Sequence, residues 1–271
     1  MFKEELNSLF ETMILKNYFQ GIQWSIKKDN ISYAGKVGFM DLDNKDPIRE
    51  DSIYRIWSMT KPIVAIATMI LVERGQIDLE DPIESYLPQA KKLKVLQNKN
   101  NNEVLLDLER SIKIKDLLLH TAGFSYNFLN DPIGKEYEKN KIFHSENSLL
   151  KNEVEKILTF PLLYQPGKNW VYSVSIDVLA YIIEIITNKS ISLFLEENIF
   201  KPLGMKDTFY FVEENKRHRI MSSYEYIQKS NELKKISYKS QTINNYGYPQ
   251  GNTQYARGGH GLFSTIYDYM K

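Results

Sequence analysis

A serine and a lysine stand three residues apart in Ser58-Met59-Thr60-Lys61, a spacing that suits nucleophilic chemistry. At the head of a helix, residues at i and i+3 share a face, so the amine can reach the hydroxyl and take part in moving its proton. The first turn also offers unpaired backbone N–H groups and the positive end of the helix dipole. Both suit the oxyanion that forms when a serine attacks a carbonyl. The same pattern recurs at Ser25/Lys28 and at Ser148/Lys151. The first of these falls on an expected strand, where residues three apart face opposite sides, and the second on an expected polar helix without a buried floor. Only Ser58/Lys61 joins an expected strand end to an expected buried helix. The competing use of Ser58 is as a simple helix cap.

The elements around that pair read as follows. Leu6, Leu9, Phe10, Met13 and Ile14 recur at helical spacing and predict an amphipathic helix over residues 3–18. Residues 22–26 and 30–35 are β-prone and flank the polar Lys27-Lys28-Asp29, which predicts a hairpin. Residues 52–57 read as a further strand that delivers the chain to Ser58. Pro62 in a first turn, an apolar run from Ile63 to Val72 and Gly75 as the stop predict a helix buried on every face. From residue 76 the texture changes to short helices and polar loops, with turns at Asp81-Pro82, Leu87-Pro88 and Asn98–Asn102. Helical spacing returns at 175–186 and 191–200, whereas 212–248 is charged and Tyr-rich without a clean period.

Composition bounds the function classes. With 271 residues and 42% hydrophobic content, the chain can build a substantial core. Lys plus Arg (35) nearly cancels Asp plus Glu (34), so no strong field draws in nucleic acid or an anionic membrane, and no nucleic-acid partner is expected. The absence of Cys removes disulfides and thiolate metal sites, and the four histidines lack metal-ligand spacing. No membrane span and no secretory signal are visible, so a cytoplasmic location is the expectation.

Beyond the Ser-x-x-Lys pair, ordered segments resemble class C β-lactamases, penicillin-binding proteins and their esterase relatives. They are Tyr54 to Pro62, Leu71 to Pro82, Leu117 to Phe124 with His120-Thr121-Ala122-Gly123, Gln165-Pro166-Gly167 through Tyr172-Ser173, Phe200 to Met205, and Gly258 to Thr265. The resemblance implies an α/β (α+β) fold, an antiparallel sheet flanked by helices plus a mainly helical lobe. Residues 1–75 and 250–271 would form the first lobe and 76–249 the second, with the site between them. It also implies that Ser58 is the nucleophile, Lys61 its proton acceptor or relay, and Tyr172 a hydroxyl near both. Which of the last two is the base stays open. A lysine with an ordinary pKa of ~10.4 is neutral in only about one molecule in 2,500 at pH 7, so the surroundings must assist. His120 is expected to structure its loop, and His260 to mark a tight turn near the cleft.

Two departures from the family pattern refine the expectation. The second motif usually reads Tyr-x-Asn, with the amide on a β-lactam or peptide substrate, but here Val174 follows Tyr172-Ser173. That favours carboxylic esters as the small-molecule substrate, with β-lactamase or D-alanyl-D-alanine peptidase chemistry, or a catalytically impaired binding role, as alternatives. No Lys-Thr/Ser-Gly, His-x-Gly or Trp-Gly-Gly follows residue 174, so the third motif and its sheet strand are expected to be missing, as in a truncated homologue. No metal or organic cofactor is expected, since serine acyl transfer needs neither.

Overall fold

The computed structural model describes residues 2–99, 102–143, 148–236 and 256–271. Helix α1 (Phe2–Leu15) leads into strands β1 (Gly21–Lys28) and β2 (Ile31–Asp41), paired antiparallel from Gly21↔Gly38 to Lys28↔Ile31. β3 (Asp46–Pro47) adds to the far side of β2. The expected hairpin is therefore present and longer than the β-prone runs suggested. α1 lies over β2, and from the neighbouring β1 Trp24 Nε1 donates to Asn7 Oδ1 of α1 at 3.0 Å. Gly35 permits the approach, because a Cβ there would lie 2.6 Å from both of those atoms.

The strand expected over 52–57 contracts to β4 (Tyr54–Arg55), whose partner comes at the far end of the chain. Trp57 breaks it by adopting a left-handed conformation (φ +46°), and residues Trp57–Met59 form a single 3-10 turn. Helix α2 (Thr60–Glu73) follows directly and starts two residues before Pro62. Its burial corrects the expectation: Val64, Ala67 and Leu71 are fully buried, but Ile66 and Met69 are 53% and 46% exposed. Uniform apolarity permits burial of every face without supplying neighbours for each.

The region read as helices and loops also contains a hairpin, β5 (Lys94–Lys99) with β6 (Asn102–Asp107), paired from Lys94↔Asp107 to Lys99↔Asn102; residues 100 and 101 of the expected turn lie outside the described residues. Its short runs alternate too weakly for period-two reading. Helices α3 (Ile114–Leu118), α4 (Pro132–Lys139) and α5 (Leu150–Ile157) come next. Contrary to expectation α5 has a buried floor, made by Leu150, Val154 and Ile157.

The centre of the core is α6 (Ser175–Thr187), which packs against α2, α3, α5 and the next helix, α7 (Ile191–Leu195). Asn188 ends α6 in a left-handed conformation, and the Glu184 carboxylate accepts the Ile191 N–H at 2.8 Å. A wider π-type turn over Glu196–Phe200 continues into α8 (Lys201–Leu203). Among the described residues no single helix is long and apolar enough to cross a membrane. The pair Ser175–Thr187 and Ile191–Leu203 would be so together, but it is bent by 79° and its first helix is largely buried.

Strands β7 (Tyr224–Ile227) and β8 (Glu232–Lys235) form a third hairpin in the stretch that lacked a period. The Lys235 ammonium ties it to Asp41, whose carboxyl is held at about 2: burial opposes the shift, and hydrogen bonds from Lys235, Ser222 and Asn44 outweigh it. The lobe boundary expected at residue 250 lies outside the described residues. β9 (Phe263–Ser264) pairs antiparallel with β4, and α9 (Ile266–Tyr269) is capped by Thr265. The expected α/β architecture, small antiparallel sheets with flanking helices, is present.

An ion pair with one buried partner ties Arg110 to the first turn of α3. Asp116, 3% exposed, accepts from both Arg110 Nη atoms at 2.6 and 2.9 Å and from the Lys113 N–H at 2.8 Å. Gly167 lies against the guanidinium, where a Cβ would come within 2.1 Å of Arg110 Nη2. Asp116→Ala strips these donors of their acceptor and is expected to lower stability by about 2–4 kcal/mol, measured by urea unfolding.

Candidate active site

Ser58 Oγ is reached from two sides. Tyr172 OH donates to it at 2.6 Å and Lys61 Nζ at 3.1 Å. Lys61 also donates to the carbonyl of Gly259 at 2.6 Å, and its Nζ lies over the rings of Tyr172 and Tyr126, 4.6 and 5.4 Å from their centroids. The lysine is 9% exposed, whereas Ser58 faces solvent. The three residues singled out in the sequence thus converge on one oxygen. Capping does not account for Ser58, since the N-cap of α2 is Met59 and no side chain caps it. Ser58 lies in the first turn of this helical segment, where a backbone N–H ordinarily has no intrahelical acceptor.

Local backbone geometry sets this up. The left-handed Trp57 turns the chain out of β4 so that Ser58 sits one turn ahead of Lys61. Such a conformation in a bulky residue is strained and needs support from its surroundings. The Trp57 ring stacks on His260, with centroids 6.2 Å apart. His120 is also left-handed (φ +56°), and its carbonyl accepts the Val171 N–H at 3.2 Å. Its Nδ1 accepts the Ser173 N–H at 3.2 Å, which places the ring proton on Nε2. One loop residue therefore grips the chain on both sides of Tyr172. That geometry suits the loop-structuring part expected of His120, and His260 lines the cleft as expected of its turn.

Both histidines resist protonation. Burial, helped by the charge of Lys61, pushes His120 down to about 4. Burial, then Arg257 and Lys61, pushes His260 well below its ordinary value. Between roughly pH 6.5 and 4 the unfolded chain binds protons at these two sites that the folded chain rejects, so stability falls as pH falls through that window. His120→Asn is expected to flatten the slope of melting temperature against pH over that range, read by circular dichroism at half-unit steps.

The cleft beside Ser58 encloses about 70 Å³ and is walled by Trp57, Tyr126, Phe128, Tyr172, Gly259 and His260. Tyr126 and Phe128 stack on each other at 4.7 Å. Val174 is fully buried, its N–H donates to Ser125 O at 3.1 Å and its carbonyl accepts from the N–H groups of Asp177 and Val178 at 2.9 and 3.2 Å, so it brings no polar side chain to the cleft. A larger cavity of about 420 Å³ lies against α8, between Phe200 and Phe211. Two of its lysines are already paired, Lys201 with Glu196 and Lys216 with Asp207, and it holds no comparable serine, lysine and tyrosine.

Sequence reasoning gave no part to Tyr126 and Trp57, which line the cleft, or to Asp177, whose Oδ1 accepts the Gly259 N–H at 2.9 Å beside it. The first two resemble any aromatic residue of a Tyr-rich chain. Asp177 carried a usable signal, as the one acid before Glu184 in an otherwise apolar helix.

The fold is that of β-lactamase and transpeptidase-like proteins. A solved structure described as EstCE1, a hydrolase with promiscuous acyltransferase activity, superposes with a TM-score of 0.83 at 21% identity, over 98% of this chain and 70% of that one. The family model described as Beta-lactamase matches residues 9–271, and the chain belongs to that family. Its relatives include the lovastatin esterase of Penicillium rubens, 31% identical over 84% of this chain and 55% of that protein. They also include Protein Rv1367c of Mycobacterium tuberculosis, 29% identical over 90% of this chain and 59% of that protein. The chain thus spans between half and two thirds of the length of these relatives.

Proposed function

We propose that this chain carries the acyl-transfer site of a serine hydrolase acting on carboxylic esters. The observation that supports the reading most directly is the contact of both Lys61 Nζ and Tyr172 OH with Ser58 Oγ. Ser58 Oγ attacks the ester carbonyl while its proton passes to the Lys61/Tyr172 pair, and the tetrahedral oxyanion faces the Ser58 N–H. The alkoxide leaving group takes a proton back, leaving an acyl-serine. Water then repeats the sequence in reverse, releasing the acid and restoring Ser58. Esters are favoured because Val174 offers no amide to a β-lactam or peptide, and because relatives of this chain include an enzyme named as an esterase.

Incubation of the purified chain with p-nitrophenyl butyrate is expected to release nitrophenol and to leave a butyryl adduct on the peptide containing Ser58, seen by mass spectrometry. A fluorescent penicillin is expected to label it faintly. Strong penicillin labelling without ester turnover would shift the reading to the penicillin-recognising branch, and no adduct with either reagent would leave a binding role.

A further inference from the structure

The residue that the proposed chemistry leaves unused is Asp177, in the first turn of α6. It is 1% exposed. Its Oδ1 accepts the N–H of Gly258 at 3.1 Å and that of Gly259 at 2.9 Å, while Oδ2 has no hydrogen-bond partner among the described residues. A carboxylate buried this deeply with half its acceptor capacity idle is costly, and such groups persist where they hold something in place.

What it holds is the backbone that holds Lys61. Gly259 presents its N–H to Asp177 and its carbonyl to Lys61 Nζ, the latter at 2.6 Å. The spacing leaves no room for a side chain on this segment. A Cβ on Gly258 would fall 2.0 Å from the Ile176 carbonyl oxygen, and one on Gly259 would fall 2.5 Å from Asp177 Oδ2 and 2.6 Å from Tyr126 OH. Neither glycine has a positive φ, so close approach to α6, and not dihedral freedom, explains the pair. Burial pushes the Asp177 carboxyl up, while Lys61, the two glycine N–H groups and Arg257 pull the other way, so the carboxyl also belongs to the electrostatic surroundings of Lys61.

We propose that Asp177 is a positioning residue for acyl transfer at Ser58: by clamping the N–H groups of Gly258 and Gly259 it fixes the Gly259 carbonyl that aims Lys61 at Ser58 Oγ. This rests on the acyl-transfer reading above. Asp177 is not among the residues that line the cleft, and it positions Lys61 through the Gly258-Gly259 backbone. Removing it lets the carbonyl drift and Lys61 follow, which affects the reaction rate more than substrate binding.

The test uses the whole 271-residue chain. Steady-state hydrolysis of p-nitrophenyl butyrate and the rate of fluorophosphonate labelling of Ser58 are measured for the unsubstituted protein, Asp177→Ala, Asp177→Asn and Gly259→Ala, each checked for folding by circular dichroism. For Asp177→Ala, kcat and the labelling rate are expected to fall about 100-fold with KM within about threefold, the size of effect that small misplacements produce. Asp177→Asn keeps an oxygen acceptor for both N–H groups and is expected to recover to within about tenfold of the unsubstituted protein. Gly259→Ala leaves the carboxylate in place but displaces the backbone, and is expected to match the Asp177→Ala loss. A folded Asp177→Ala that labels within threefold of the unsubstituted protein overturns the positioning role. If Asp177→Ala does not fold, a folded Gly259→Ala at the unsubstituted rate does the same. An unsubstituted protein that neither labels at Ser58 nor turns over ester overturns the acyl-transfer reading itself, and the positioning role with it.

Discussion

Ser58→Ala is expected to abolish the acyl adduct and to reduce ester hydrolysis by about 10⁴-fold or more, the scale on which loss of a nucleophile is felt in serine hydrolases. The reasoning is structural. Ser58 Oγ is the only atom described here that both Lys61 Nζ and Tyr172 OH approach, at 3.1 and 2.6 Å, and it stands at a solvent-facing turn where a carbonyl can reach it. Folding should be unaffected, since Ser58 caps no helix and its hydroxyl contacts only those two groups. Melting temperature therefore serves as the control. Ester turnover that persists in Ser58→Ala would remove this residue as the nucleophile and point to another hydroxyl in the cleft.

Lys61→Met carries the second large effect, an expected loss of about 10³ to 10⁴-fold in kcat/KM with Ser58 still present, in keeping with removal of a general base or relay. Methionine keeps the stem that packs at the head of α2 and removes the amine, and with it the hydrogen bonds to Ser58 Oγ and the Gly259 carbonyl. Lys61→Arg is not expected to rescue, because a guanidinium stays protonated and its planar fork does not fit a site shaped for one nitrogen between Ser58 Oγ and the Gly259 carbonyl. Tyr172→Phe is expected to cost less, about 10² to 10³-fold. Its pH profile separates the two roles: if the phenol is the base, Tyr172→Phe loses the basic rise in rate that Lys61→Met retains. The comparison is made on kcat/KM between pH 5 and 10.

The site was more legible in the sequence than the fold around it. Ser58, Lys61 and Tyr172 are named by motif, and motif spacing is a local property: three residues, from the 3-10 turn into the first turn of α2, bring the amine to the hydroxyl. Tyr172 was reached by its place after Pro166-Gly167 and Trp170, because nothing local links it to a serine more than a hundred residues away. The elements read best were those with strong periods, α1, the first hairpin and α6. The hairpins β5–β6 and β7–β8 are not legible in the sequence, since short strands with mixed polarity carry little period-two signal. The strand into Ser58 was read too long, because no propensity announces that Trp57 will turn left-handed.

Sequence by itself determined which groups are available for chemistry: a hydroxyl, an amine three residues on, a phenol, and a valine in place of an amide. Tertiary structure alone decided how those groups are held. The grip of His120 on either side of Tyr172 joins residues about fifty positions apart, and the clamp of Asp177 on Gly258 and Gly259 joins residues about eighty apart. The same holds for α2, whose apolar run determined that it could be buried while its neighbours decided that Ile66 and Met69 would not be. Helical spacing is written in adjacent residues, whereas contact across the core depends on how every element packs at once, and that is settled only when the chain has folded.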